Sequence, residues 1–300
     1  MEKANQFYGE VLGLERNPNS PGEDWVEYEA GNVTLRAERS LADRLTYASS
    51  VTMRGVKPPL AVSFDLDETL LDGSGLRESI VQACGEIAAS HPALDPAQLV
   101  DANSHVWQQY WPEVEARWTL GSLTGASLSL EAWRRTLHAC GCTDDAVAKF
   151  AAKIHGQLAR EALRLFDDVR QFMEVLRRAQ LRSALITNGA SDTQREKLSA
   201  LGIEKWFHVV VISGEIGVAK PDPSTFAFAL NSIGVAPENW WHVGDSLTTD
   251  VAGAKMARLT SVWLNRRGLV RGQADPAPDI EVPSLSHLVP FLKTNDLLRT

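Results

Sequence analysis

The stretch AVSFDLDETLLDGSG, residues 61–75, sets an apolar run directly before two aspartates, Asp65 and Asp67, one residue apart. The run reads as a buried strand, so both acids stand at its C-terminal end. Taken singly, an aspartate after a strand is most often a turn former or a helix cap. The reading therefore depends on what the other strands bring to the same edge.

From residue 168 onward, helix-like segments alternate with short β-rich runs. DVRQFMEVLRRAQ carries Val169, Phe172, Met173 and Leu176 at the i, i+3, i+4, i+7 spacing of an amphipathic helix. RSALITNG reads as a buried strand, SDTQREKLSALGI as a helix capped by Ser191 or Asp192, and HVVVISGE as a second continuous apolar strand. DPSTFAFALNSIG follows as a helix stopped by Gly234, then NWWHVGDS, TTDVAGAKMARL and TSVWLN as strand, helix and strand, with DIEVP a last short strand. Strands separated by helices of this length make parallel βαβ units, which predicts an α/β fold with a doubly wound parallel sheet. Parallel strands put their C-terminal ends on one edge, where ligands bind in open α/β sheets. That edge collects Asp65 and Asp67, Thr187 and Asn188, Ser213 and Gly214 with Lys220 beyond, and Asp245 and Ser246.

Residues 77–167 differ in character. RESIVQACGEIAAS, PAQLVDANSHVWQQYWPEVEARW, SLEAWRRTLHACG and DDAVAKFAAKIHGQLAREAL all read as helices, with no convincing strand among them. A crossover of about 90 residues far exceeds what a βαβ connection needs, so it is expected to fold as a small helical domain over the strand ends. Trp107, Tyr110, Trp111, Val114 and Trp118 follow helical spacing and predict a helix that buries one face as the core of this insertion. The predicted organisation is an N-terminal extension (1–55), an α/β core (56–76 and 168–300) and a helical insertion (77–167).

The chain has 300 residues and a formal net charge of −8, a balance that does not advertise a nucleic-acid or anionic-membrane surface. No apolar run approaches the roughly 20 residues of a membrane-spanning helix, and the N-terminus shows no secretory pattern, which predicts a cytoplasmic protein. Cys84, Cys140 and Cys142 make an odd count, with the last two spaced too tightly for an ordinary disulfide, and read as small buried thiols.

Asp65, Asp67, Asp245 and Asp250 converge on one sheet edge, and four clustered carboxylates repel unless some protonate or a cation joins them. A hard divalent cation with oxygen ligands, Mg²⁺ above all, relieves the repulsion and leaves positions open for a phosphate oxygen. Lys220, in GVAKPDP, and the Thr187 hydroxyl, in TNG, would face the same spot and complete a cradle for a tetrahedral anion. Phosphoryl transfer needs mainly positioning and charge neutralisation, which this set supplies.

In order, DLDET, ITNG, the lysine of AKPDP and HVGDSLTTD resemble the four motifs of the haloacid dehalogenase superfamily, over about residues 58–292. The helical insertion looks like the superfamily's C1-type cap on a Rossmann-like core. The resemblance implies that Asp65 is a nucleophile forming an aspartyl-phosphate, and that Asp67 protonates the leaving alcohol and then deprotonates water. For that double role the proton affinity of Asp67 is expected to be raised by its negative neighbours. Thr187 and Lys220 would bind the transferring phosphoryl group, with Asn188 and the Gly189 backbone as neighbours. Mg²⁺ would be held by Asp65, the Asp67 backbone carbonyl and Asp245, with Asp250 in or next to its coordination sphere.

Dehalogenases of the superfamily need no metal and lack an acid at the position of Asp67, so the resemblance favours a phosphatase acting on a small phosphorylated metabolite, as a monomer or homodimer. A phosphomutase, and a non-catalytic binding module on the same fold, remain alternatives. In the cap, Arg135, Arg117 and His105 could reach a polar substrate. One departure lies after the fourth motif, where Ala257 and Arg258 stand where relatives often carry Ala-Gly. NQFYGEVLGLE and DWVEYEAGNVTLRA, within residues 4–37, resemble part of a vicinal oxygen chelate module whose first strand and metal ligand are missing, so no glyoxalase-type chemistry is expected there.

Overall fold

The computed structural model describes residues 56–292 in full and, before them, the backbone of three short strands between residues 15 and 38. These are β1 (Glu15–Arg16), β2 (Trp25–Ala30) and β3 (Val33–Glu38), an antiparallel sheet in that order. The remainder of residues 1–55 lies outside the described residues.

The opening stretch forms β4 (Ala61–Phe64), buried along its whole length, and then a tight turn into β5 (Leu71–Asp72). The turn is closed by the Leu70 and Leu71 amides donating to the Leu66 carbonyl at 2.9 and 2.8 Å. Glu68 sits in it at φ 59°, an unusual conformation for a residue with a side chain.

The insertion contains α1 (Ser74–Ser90), α2 (Pro96–Thr119), α3 (Gly125–Ala139) and α4 (Asp145–Glu161), followed by β6 (Arg164–Leu165). Asp95, Thr124 and Asp144 accept from backbone amides in the first turns of α2, α3 and α4, and Pro96 starts α2, where a missing N–H costs nothing. Ala83, Cys84, Ile87, Leu99, Trp133, Leu137 and Ala151 form one small core inside these helices. The aromatic stripe makes a second: Tyr110 and Val114 bury against Leu128 and Ala132 of α3, with Trp107, Trp111 and Trp118 half-buried around them. Of the thiols only Cys84 is fully buried; Cys140 and Cys142 are half-buried, and all three are free. The sequence reading missed one feature. β5 and β6 pair antiparallel, Leu71↔Leu165 and Asp72↔Arg164, stitching the entry and exit of the insertion together. Two residues per strand are too few to show a period of two.

The core continues with α5 (Val169–Arg178), β7 (Arg182–Thr187), α6 (Ser191–Leu201), β8 (Val209–Ile212), α7 (Ser213–Ile216) and α8 (Pro223–Ile233). It ends with β9 (Trp240–Gly244), α9 (Ala252–Met256), β10 (Thr260–Leu264), β11 (Ile280–Val282) and α10 (Val289–Leu292). Gly234 ends α8 at φ +71°, as its placement predicted. Arg258 takes φ 62°, a left-handed conformation that favours glycine, occupied here by a residue with a side chain.

The six core strands are parallel, in the order β11-β10-β9-β4-β7-β8. Alternate side chains feed two layers. Val62, Phe64, Trp241 and Val243 pack with the Val169, Phe172, Met173 and Leu176 stripe of α5 on one face. Ala61, Ala184, Ile186 and Trp240 pack with Phe226 and Ala229 of α8 on the other. Fully burying each large apolar side chain contributes about 1.5–3 kcal/mol, which is why the short strands tolerate no polar interruption without a partner. The chain proceeds outward from β4 through β7 and β8, then returns to build β9, β10 and β11 on the opposite side. The strand order thus reverses at β4, and a crevice opens beyond the ends of β4 and β9. Asp65 and Asp245 are the first residues past those two ends.

Candidate active site

Asp65 leaves β4 with its amide donating to the Val243 carbonyl at 2.9 Å, so the ladder that holds the sheet also holds this residue. Its carboxylate accepts from Lys220 Nζ at 2.6 Å, and the same ammonium donates to Asp250 Oδ1 at 2.7 Å. All three groups are buried. Asp250 arrives through a π-helical turn, Leu247–Val251, where the sequence pattern predicted an ordinary helix; such turns re-aim side chains and gather at functional sites. Its other oxygen accepts from the Ser246 amide at 3.0 Å. Asp245 follows β9, its backbone carbonyl accepting from Trp263 Nε1 at 2.8 Å.

One carboxylate oxygen from each of Asp65, Asp245 and Asp250 lies within 4.8 Å of the other two. Burial pushes the Asp65 carboxyl up to about 8, Lys220 opposing and Asp250, Asp245 and Asp67 adding to the rise. Burial, then the Asp250 charge, pushes Asp245 up to about 6. Burial acts on Asp250 too, but Lys220 and His242 outweigh it and hold that carboxyl well below the usual range. The Lys220 ammonium is kept charged: burial disfavours it, and Asp250 and Asp65 more than compensate. Asp65 and Asp245 are thus short of positive charge, with oxygens aimed at common ground, and a hard divalent cation fits that donor set. Both oxygens of Asp250 already accept internal donors, which places it beside such a cation as the anchor of Lys220.

Behind Asp250 runs a chain of polar groups that sequence reasoning missed. His242 Nε2 lies 3.2 Å from Asp250 Oδ1, His242 Nδ1 lies 2.9 Å from Ser63 Oγ, and Trp240 Nε1 donates to Ser63 Oγ at 3.0 Å. Burial lowers the His242 pKa, so the imidazole is neutral; donating from Nε2 and accepting at Nδ1 satisfies both neighbours. The available signal was a histidine and a serine on the same face of strands otherwise apolar.

Asp67 differs from its expected state. Lys197 Nζ donates to both of its oxygens, at 2.7 and 2.9 Å, and Gln194 Nε2 donates to Oδ2 at 3.0 Å. Burial raises its proton affinity, but Lys197 and Gln194 more than reverse this, so the carboxyl is held below its ordinary value. The negative neighbours do not prevail, because the nearest full charge is the ammonium.

Thr187, at the end of β7, accepts from Gln194 Nε2 at 2.6 Å. Asn188 has both ends of its carboxamide occupied by the Lys220 backbone: Nδ2 donates to the carbonyl and Oδ1 accepts from the amide, each at 2.9 Å. It clamps the backbone of the lysine that pairs with Asp65. Gly189 lies under the cap. Its amide donates to Ser213 Oγ at 2.8 Å, Ser213 donates to the Thr119 carbonyl at 2.5 Å, and a Cβ on Gly189 would come 2.6 Å from the Trp118 ring. Asp192 has a similar bridging role. α6 starts after Ala190 with no side-chain cap, and the Asp192 carboxylate instead accepts from the Gly125 and Ala126 amides at 2.9 and 3.1 Å, serving the first turn of α3 in the insertion.

The three cap residues singled out from sequence are not brought to the carboxylates. Arg135 pairs with Glu113 and Glu131, both at 3.2 Å, with its guanidinium 3.9 Å above the Tyr110 ring, and borders a hollow of about 560 Å³ lined by cap residues alone. His105 Nδ1 lies 2.9 Å from the Asp101 carbonyl on an exposed helix face. Arg117 is exposed on the last turn of α2, next to Trp118.

The family model for haloacid dehalogenase-like hydrolases matches residues 60–258. The chain belongs to this family. Among curated members, phosphoserine phosphatase of Thermus thermophilus is 33% identical over 238 residues, covering 74% of this chain and 94% of that one. Human N-acylneuraminate-9-phosphatase is 28% identical over 252 residues, covering 81% and 97%. Among solved structures, a 2-haloacid dehalogenase from Pseudomonas syringae superposes with a TM-score of 0.57 at 27% identity, covering 79% of this chain and 98% of that one. As a haloacid dehalogenase-like hydrolase, the chain has neighbours in both the phosphatase and the dehalogenase branches. No helix among the described residues is long and apolar enough to cross a membrane.

Proposed function

We propose that the chain is a Mg²⁺-dependent phosphatase that hydrolyses a small phosphomonoester through an aspartyl-phosphate on Asp65. The observation that carries this reading is the second acid. Asp67 presents a half-exposed but directionally held carboxylate two residues after Asp65, whereas dehalogenases, by the resemblance, have no acid at that position. The three-carboxylate cluster supports a metal in the same way, and the phosphatases among the relatives supply the substrate class.

In this reading the Asp65 carboxylate attacks phosphorus, the bond to the leaving oxygen breaks, and Asp67, ionised in the free protein, passes to that oxygen the proton that the substrate monoanion brings. Water then attacks the aspartyl-phosphate, Asp67 takes its proton, and inorganic phosphate leaves Asp65 restored. Lys220 neutralises the transferring group. Thr187 donates its hydroxyl proton to it, a direction left free because its oxygen already accepts from Gln194. Asp65, Asp245 and the Asp67 carbonyl would hold Mg²⁺, which when bound supplies neutralisation of the phosphate oxygens. The helical insertion would act as the cap and residues 1–55 as an extension outside the chemistry.

The full chain should release phosphate from p-nitrophenyl phosphate with Mg²⁺ and lose that activity in EDTA. Asp65→Asn should abolish turnover and keep a cooperative unfolding transition. Halide release from 2-chloropropionate without phosphatase activity would overturn the reading.

A further inference from the structure

We propose that Gln194 and Lys197, one turn apart on α6, are a positioning pair that aims the Asp67 carboxylate and the Thr187 hydroxyl at the two ends of the bond being broken. The inference rests on the phosphatase reading above and deepens it, since neither residue belongs to the motifs that define the site.

Gln194 is fully buried, and its amide nitrogen has three acceptors: Thr187 Oγ1 at 2.6 Å, Asp67 Oδ2 at 3.0 Å and the Asn188 carbonyl at 3.2 Å. Its other end, Oε1, is buried without a hydrogen-bond partner. An orphaned acceptor costs about 1–3 kcal/mol, so stability alone would place an apolar residue here, on the same helical face as Leu198. The carboxamide orientation is not arbitrary either. Turning it over would point Oε1 at a carboxylate and a carbonyl, both acceptors. Gln194 therefore ties the phosphoryl-binding hydroxyl to the acid through one nitrogen and sets their relative direction.

Lys197 supplies the second restraint. Its ammonium donates to both Asp67 oxygens, and its side chain is only 16% exposed. It also lines a cleft of about 920 Å³ between α6 and the cap, whose walls include Leu76, Trp107 and Lys153. That cleft has room for a small organic group, and Lys197, which lines it, joins it to the acid. Two restraints from one rigid helix fix both position and direction, which a single hydrogen bond on a rotatable carboxylate would not.

The test uses leaving groups that depend on the acid to different degrees. Nitrophenolate departs without a proton at neutral pH, while phenolate gains much more from one. With full-length protein and Mg²⁺, kcat/KM is measured for p-nitrophenyl and phenyl phosphate in the wild type, Lys197→Met, Gln194→Met, Lys197→Arg and Asp67→Asn. Well-placed general acids contribute about 10²–10⁴-fold, so the p-nitrophenyl to phenyl ratio should rise at least about tenfold in both Met variants and in Asp67→Asn, with Lys197→Arg partly restored. Equal losses on both substrates in the Met variants, while Asp67→Asn shows the selective loss, would overturn the positioning role and leave the phosphatase reading intact. Equal losses in Asp67→Asn as well, or full turnover in Asp65→Asn, would sink the underlying mechanism. Thermal unfolding of each variant confirms a folded protein, and Gln194→Met keeps the test open if Lys197→Met does not fold.

Discussion

Gly244→Ala probes the site by adding one methyl group to it. Gly244 is the last residue of β9, and its backbone conformation is one that alanine adopts without strain, so the effect is purely one of space. A Cβ there would lie 2.2 Å from Asp250 Cγ and 2.3 Å from Oδ2, where ordinary contact begins at 3.4 Å. The Asp250 carboxylate, 2% exposed, must therefore retreat by about 1 Å into a filled interior. Overpacking of this kind costs about 1–3 kcal/mol. The displacement also strains the 2.7 Å bond from Lys220 and the 3.0 Å bond from the Ser246 amide, and a hydrogen bond to a charged group is worth about 1.5–3 kcal/mol. The sum, about 2.5–6 kcal/mol, corresponds to a fall in thermal midpoint on the order of 10 °C for a chain of this size. Lys220 would lose its anchor opposite Asp65, and a misplacement of about 1 Å near the reacting atoms costs on the order of 10²-fold in rate. Urea unfolding and p-nitrophenyl phosphate kinetics measure both effects. Gly234→Ala is the control: φ is +71°, a Cβ there meets nothing within 4 Å, and the cost should be about 1 kcal/mol with activity unchanged. Wild-type stability and turnover in Gly244→Ala would refute the claim that Asp250 fills the space beside this glycine and anchors Lys220.

Two further outcomes follow from the charge cluster and from the backbone. Asp65 at about 8 and Asp245 at about 6 lie above their ordinary 3.8, so the folded metal-free protein holds protons that the unfolded chain has released. That contribution is complete below about pH 4 and is lost as pH rises through 6 and then 8, so the thermal midpoint in EDTA should fall across this window. Mg²⁺ should restore more stability at about pH 8 than at about pH 5, and Asp245→Asn should flatten the EDTA profile; an unchanged slope in that variant would contradict the assignment. Arg258→Gly should raise stability by about 1 kcal/mol, because Arg258 is exposed and held at φ 62°, and a neutral or destabilising result in urea titration would show that its side chain compensates for the backbone. The Asp65→Asn and leaving-group experiments described above complete the set.

Much of this architecture was legible because it rests on local, periodic signals. Val169, Phe172, Met173 and Leu176 lie on one face of a helix whatever surrounds it, and the apolar strands β7 to β10 stand between turn residues that close them off. Once the strands are parallel, Asp65, Thr187 and Asp245 must share an edge, since each follows or ends a strand at the same pole. The β5–β6 pair escaped because two residues carry no period. The π turn before Asp250 escaped because its register depends on what the carboxylate meets inside.

The sequence by itself determined the α/β order, the helical insertion and the edge on which the carboxylates gather, because chain direction and side-chain period are properties of neighbours along the chain. Only the tertiary structure decided what each charge touches. Asp67 was expected to hold its proton through negative neighbours, yet Lys197, 130 residues away in the chain, is the closer charge. Asn188 clamps the Lys220 backbone, Asp192 serves a helix of the insertion, and Arg135 is spent within the cap. In each case a contact of a few ångströms outweighs a composition of like charges, because electrostatic energy falls with distance in space and takes no account of separation in sequence.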